Sequence, residues 1–190
     1  MDAMTTTIVN AILHVSRKSG ALPTRDPKIT ACALRAACAD WERHARAMVT
    51  PDLKESPAWT AYEMKTLELG RALDLVIRKM GLWRGKGEVL DAAADVIGDE
   101  RYGRGRKSWI ATLGEHGEGY YGGVLAAALK DDEMAGYAMK ALLRAGNGEY
   151  VAQVLAAGEH GRTWVKNTAR LYAESFERRP RQVSRASVHD

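Results

Sequence analysis

The chain has 190 residues, 46% hydrophobic and 27% charged, with a formal net charge of +4. That length suits one domain with a real core, and the composition is that of a soluble globular protein rather than a disordered or membrane-embedded chain. Cys32 and Cys38 are the only cysteines, and their spacing on one expected helix fits neither a mutual disulfide nor a zinc site.

A first helix is expected from about Thr5 to Lys18, with Ile8, Ile12 and Val15 on one face and Gly20 as its stop. Asp26-Pro27 reads as an N-cap followed by a first-turn proline. The second helix carries Leu34, Cys38, Trp41, Ala45 and Met48 as an apolar seam, so Trp41 and Cys38 are expected in the core. Arg35, Glu42, Arg43 and Arg46 form its wet face. Thr50-Pro51 ends that helix, and Ser56-Pro57 opens a third with Tyr62, Leu69, Leu73, Val76 and Met80 aligned, closed at Gly81. These helices form an N-terminal three-helix bundle over residues 1–82.

Residues 83–177 carry a weak internal repeat. Val124-Leu125-Ala126-Ala127 and Val154-Leu155-Ala156-Ala157 lie about 30 residues apart, preceded by Tyr120 and Tyr150. Val89-Leu90 with Ala92-Ala93-Ala94 is a fainter copy. Each block is followed by a second helical segment, at 106–113, 133–144 and 162–176. Periods of this length arise when helical hairpins stack, because one hairpin cannot bury its own apolar face. The spacing resembles that of HEAT-type helical hairpins, but their consensus residues find no match, so no site residue follows from it. Asp131-Asp132 offers an N-cap and Gly146 a stop, while Val165, Ala169, Tyr172 and Phe176 make the stripe of the last helix. Residues 178–190 are polar and basic without apolar pattern, and read as a disordered tail. No stretch alternates as a strand would, so the expected fold is all-α: the bundle, then stacked hairpins packed against it as one body.

Three features carry chemistry. The first is a basic–aromatic segment: Trp83, Arg84 and Lys86, then Arg101, Tyr102, Arg104, Arg106 and Lys107. Guanidinium and ammonium groups neutralise phosphates or acidic partners, and exposed rings stack. Read as a flexible loop between helices, this segment is the candidate binding surface, because residues 108–176 are slightly acidic. Its charges are expected to matter little for stability. The second is Gly-Glu-His-Gly, found at Gly114-Glu115-His116-Gly117 and Gly158-Glu159-His160-Gly161. Imidazole and carboxylate are competent metal ligands, but the two turns fall at opposite ends of the expected hairpins, so no shared metal site is expected. The third is catalysis: no nucleophile sits in an elbow motif, and no catalytic residue is assigned. No cofactor is expected.

Five Trp and seven Tyr against one Phe favour surfaces that bury rings at interfaces. The expected function is therefore a non-enzymatic protein-binding module: an adaptor, an inhibitor or a helical subunit of a larger complex. The alternative is a nucleic-acid-binding subunit using the 101–107 segment and the tail. Neither a secretion signal nor a membrane span is recognisable, so a cytoplasmic location without membrane contact is expected.

Overall fold

The computed structural model describes residues 1–15, 22, 24, 26–48, 56–80 and 86–177. Among them there are nine α-helices and no strand: α1 (Ala3–Val15), α2 (Pro27–Ala47), α3 (Pro57–Met80), α4 (Lys86–Gly98), α5 (Arg106–His116), α6 (Gly122–Ala127), α7 (Ala135–Arg144), α8 (Val151–Glu159) and α9 (Thr163–Glu177). No helix among these residues is long and apolar enough to cross a membrane.

Local signals set most boundaries. Asp26 caps α2 by accepting from Lys28 N at 2.9 Å, with Pro27 in the first turn. Ser56 Oγ accepts from Trp59 N at 3.1 Å to open α3. At the end of α7, Gly146 (φ 74°) turns left-handed; Asn147 N reaches Leu142 O and Gly146 N reaches Leu143 O. That paired closure satisfies carbonyls the helix leaves open, and it needs a residue tolerant of positive φ. The stops at Gly20 and Gly81, the Thr50-Pro51 break, residues 82–85 between the bundle and the hairpins, and the 178–190 tail lie outside the described residues.

α1 lies across α2 and α3, burying Ile8, Val9 and Ile12 against them. From α2 onward the helices pair as consecutive hairpins: α2/α3, α4/α5, α6/α7 and α8/α9. The hairpins stack into two rows. One row runs α3, α5, α7, α9, each packed on the next. The other runs α2, α4, α6, and α8 then meets the short 3-10 turn Ala128–Lys130 that follows α6. One continuous core threads both rows, from Leu34 and Leu73 through Trp109 and Leu113 to Met139, Leu142 and Tyr172. The all-α architecture of a bundle continued by stacked hairpins is thus what the apolar stripes dictate.

The internal sequence match does not carry into equivalent environments. Leu125 is buried, whereas its counterpart Leu155 is 40% exposed. Tyr120 is exposed and Tyr150 partly buried. The first helices of the three hairpins have 13, 6 and 9 residues, so the hairpins share a topology but not a constant unit.

The seam of α2 ends one turn early. Leu34, Cys38 and Ala45 are buried, but Met48 is 73% exposed and Trp41 only packs partly against the core. Glu42, expected on the wet face, is buried instead, and its carboxylate holds Arg46 Nε at 2.7 Å. A carboxylate can occupy that position because the guanidinium of the next turn neutralises it locally. Cys38 is a core thiol, its pKa pushed up to about 12 by burial; a thiol so protonated is inert.

Candidate functional site

The segment 101–107 is not a flexible connector. Glu100–Gly105 forms a 3-10 turn that leads directly into α5. Asp99 caps it by accepting from Arg101 N at 3.0 Å, and its carboxylate also holds the Arg101 guanidinium, with Nη2 at 2.6 Å. That hydrogen bond keeps the Asp99 carboxyl below its ordinary range. Gly103 sits at φ 48°, where any Cβ would run into the Glu63 carboxylate 2.2 Å away. The same carboxylate accepts from Arg104 N at 2.9 Å and from Arg104 Nε at 2.8 Å.

Arg106 goes further inward. It is 5% exposed, donates to Gly103 O and Ile97 O, and pairs with Asp131. Tyr102 is buried as well. The surface shared by Arg101, Arg104 and Arg106 is a cavity of about 740 Å³ that Glu63, Glu100, Asp131 and Glu133 also line. Sequence shows four neighbouring cations; folding sets Asp99, Glu63 of α3 and Asp131, which ends the 3-10 turn after α6, against three of them. The expectation that these charges matter little for stability therefore fails at Arg106, where the guanidinium is a core group. The other members separate. Lys86 starts α4 and pairs with Glu118, while Trp83 and Arg84 lie outside the described residues.

Lys107 turns to the opposite side, onto the α3–α5–α7–α9 row. Its Nζ lies 5.2 Å from the centre of the Tyr137 ring. Here a groove of about 450 Å³ runs over α5. Its floor is made of small α5 residues: Ser108, Ala111 and Thr112. One wall is α3, with Leu67, Arg71 and Leu75; the other is α7, with Tyr137 and Arg144. The three helices run parallel: Trp109, Thr112 and His116 of α5 meet Thr66, Gly70 and Asp74 of α3 in the same order, and Lys107 and Glu115 meet Tyr137 and Arg144 of α7.

One end of the groove is closed by an ionic network that ties the three helices together. Glu115 of α5 pairs with Arg78 of α3 at 3.2 Å and with Arg144 of α7 at 2.6 Å. Asp74 receives Arg78 Nε at 2.9 Å and lies 2.8 Å from His116 Nε2. The first Gly-Glu-His-Gly turn thus braces the stack through Glu115 and His116. The second leaves Glu159 and His160 exposed at the far end of α8. The two turns are not brought together, and no cluster of three or more metal-ligating side chains occurs among the described residues.

Toward the other end the cations are not neutralised. Arg71 and Lys107 make no ion pair among the described residues, and Lys140, one turn along from Tyr137, lies 5.1 Å over the Trp164 ring. Tyr137 meets Trp164 edge-on at 5.5 Å. Trp164 in turn rests on Gly136, whose missing side chain makes room for the indole. Leu75 is 38% exposed and Trp164 37%. Beyond Lys107 a neighbouring groove between α7 and α9 holds Asp132 and Glu133 with Arg162, so the charge does not stay positive along the row.

Only Lys107 of this groove belongs to the residues that sequence singles out. Arg71, Leu75, Tyr137, Lys140 and Arg144 come from helices far apart in the chain. Their one signal is that Leu67 and Leu75 fall off the buried stripe of α3 yet remain apolar. Comparison with family models, curated proteins and solved structures finds no match for this chain.

Proposed function

We propose that this chain is a non-enzymatic protein-binding module whose partner occupies the groove over α5. The observation that carries the reading is the groove itself: a floor and walls of Ala111, Leu67, Leu75 and Tyr137, edged by Arg71 and Lys107, which make no ion pair among the described residues. Exposed apolar surface in a concave site, with rings and guanidinium at its edge, is the composition of interface hot spots. Stacked hairpins offer such surfaces because each added hairpin extends the same row.

Nucleic acid is the competing reading, and the Lys107–Tyr137–Trp164–Lys140 series favours it locally. A polyphosphate strand needs a continuous positive track. Along this row the track is interrupted by Asp132 and Glu133 on one side and by Asp74 and Glu115 on the other. The cations of the 101–106 turn already face carboxylates. A partner with discrete charges and apolar side chains fits this pattern better.

Capture of the tagged full-length chain from its native cells, with and without nuclease, separates the readings. A protein partner should remain bound after nuclease, and its affinity should fall only modestly with salt. Bound material that vanishes with nuclease, with a steep logarithmic salt slope, means that the protein-binding reading is wrong.

A further inference from the structure

We infer that the groove over α5 receives an acidic amphipathic α-helix of the partner protein, apolar face down on Ala111 and carboxylates toward Arg71 and Lys107. The inference rests on the protein-binding reading above and specifies its ligand.

The occupant's backbone is constrained first. Every wall of the groove is a helix whose own N–H and C=O groups are satisfied internally, so it offers no strand edge to pair with. Of the side chains along its open part, Arg71 and Lys107 carry donors only, the Tyr137 phenol is a single donor and acceptor, and Ser108 and Thr112 lie buried in the floor. An extended peptide laid here would find donors for its carbonyls but scarcely an acceptor for its N–H groups. Asp74 and Glu115, the carboxylates at the closed end, already hold Arg78, His116 and Arg144. A helix needs no such help, because its amides bond within the segment. Helix-in-groove docking, with apolar anchors one turn apart, is the mode that this architecture supports.

The sign of the charge follows next. Arg71 stands on the α3 wall and Lys107 on the α5 side, with Lys140 next to the groove, over the Trp164 ring. These three make no ion pair among the described residues, whereas Arg78 and Arg144 are held by Glu115. Uncompensated cations on both walls favour acidic residues flanking the apolar stripe of the incoming helix, and they repel a basic one. The small floor matters equally. Ala111 is exposed between taller neighbours, so a side chain of Leu or Phe size can descend between Leu75 and Tyr137.

A photo-crosslinking residue, p-benzoylphenylalanine, is placed at Ala111 in the full chain, with a second copy placed at exposed Leu155 as a control site. Both are irradiated in native cells, and the adducts are mapped. The expected adduct at Ala111 is a protein segment with Leu or Phe at helical spacing and Asp or Glu beside them. The synthetic peptide of that segment should gain helicity on binding, and Arg71→Glu with Lys107→Glu should weaken it by about tenfold or more. Replacing the peptide's acids by Lys should restore binding to that variant, a rescue that a misfolded chain cannot give. A mapped segment that is basic, or that binds without becoming helical, overturns the inference and leaves the protein-binding reading standing. The same holds if charge reversal has no effect, or if adducts form at Leu155 and not at Ala111. A nucleotide adduct at Ala111, or no adduct from either site, overturns both.

Discussion

Arg106 lies within a run of cations yet is almost wholly removed from solvent, with its guanidinium shared among two carbonyls and the Asp131 carboxylate. A buried ion pair is weak evidence of net stability, but removing one partner leaves the other and its hydrogen-bond acceptors uncompensated. Asp131 keeps some solvent contact at 28% exposure, so the loss should fall at the lower end of the usual range. Arg106→Ala should cost about 3 kcal/mol, read as a lower denaturant midpoint, whereas Arg101→Gln, at an exposed ion pair, should leave the midpoint essentially unchanged. If the two changes prove equally mild, the Arg106 guanidinium does not brace the junction of α4, α5 and α7. No local sequence cue could assign this role. Glu63 is 41 residues from Arg104 and Asp131 is 25 from Arg106; a segment rich in glycine and arginine looks like a solvated loop until those acids are placed. Glu42 is the mirror case, an acid on an otherwise wet stretch that folding covers and Arg46 neutralises.

Where helices meet, small residues set the distance. Gly114 of α5 faces Ala141 of α7 so closely that an added Cβ would come within 2.6 Å of the Ala141 Cα. Helix propensity alone favours Ala over Gly by about 1 kcal/mol. The close approach opposes it, and overpacking of this kind costs roughly 1–3 kcal/mol. Gly114→Ala is therefore expected to destabilise the protein, and thermal unfolding with matched circular dichroism reads the sign. A higher melting temperature would mean that α5 and α7 do not pack as closely as Gly114 implies. The helices themselves were legible because their signals are local: Asp26-Pro27 opens α2, Ser56-Pro57 opens α3, and Gly146 ends α7. Their pairing was partly legible, since an apolar stripe says that a face is covered but not by what. The match between Leu125 and Leu155 illustrates the limit. The same four letters stand in both places, but one leucine is buried and the other is not.

Across the whole chain, the groove over α5 is a property of the stack. Arg71, Ala111 and Tyr137 belong to three hairpins, and they form one groove only because α3, α5 and α7 lie side by side in parallel. Sequence reading found Lys107 there by its charge and missed the rest, since residues tens of positions apart share no motif. The densest run of positive charge, at 101–106, is largely spent on holding the turn together. The sparser cations Arg71 on α3 and Lys107 on α5 make no ion pair among the described residues. The direct comparison is between two sets of changes measured against the partner segment captured at Ala111. One set is Arg71→Glu with Lys107→Glu in the groove; the other is Arg101→Gln with Arg104→Gln in the turn. Titration should show the groove variant weakened by about tenfold or more and the turn variant within about twofold of wild type. The reverse order, with the groove variant binding normally and the turn variant failing, would place the interface on the 101–106 turn and contradict the assignment made here.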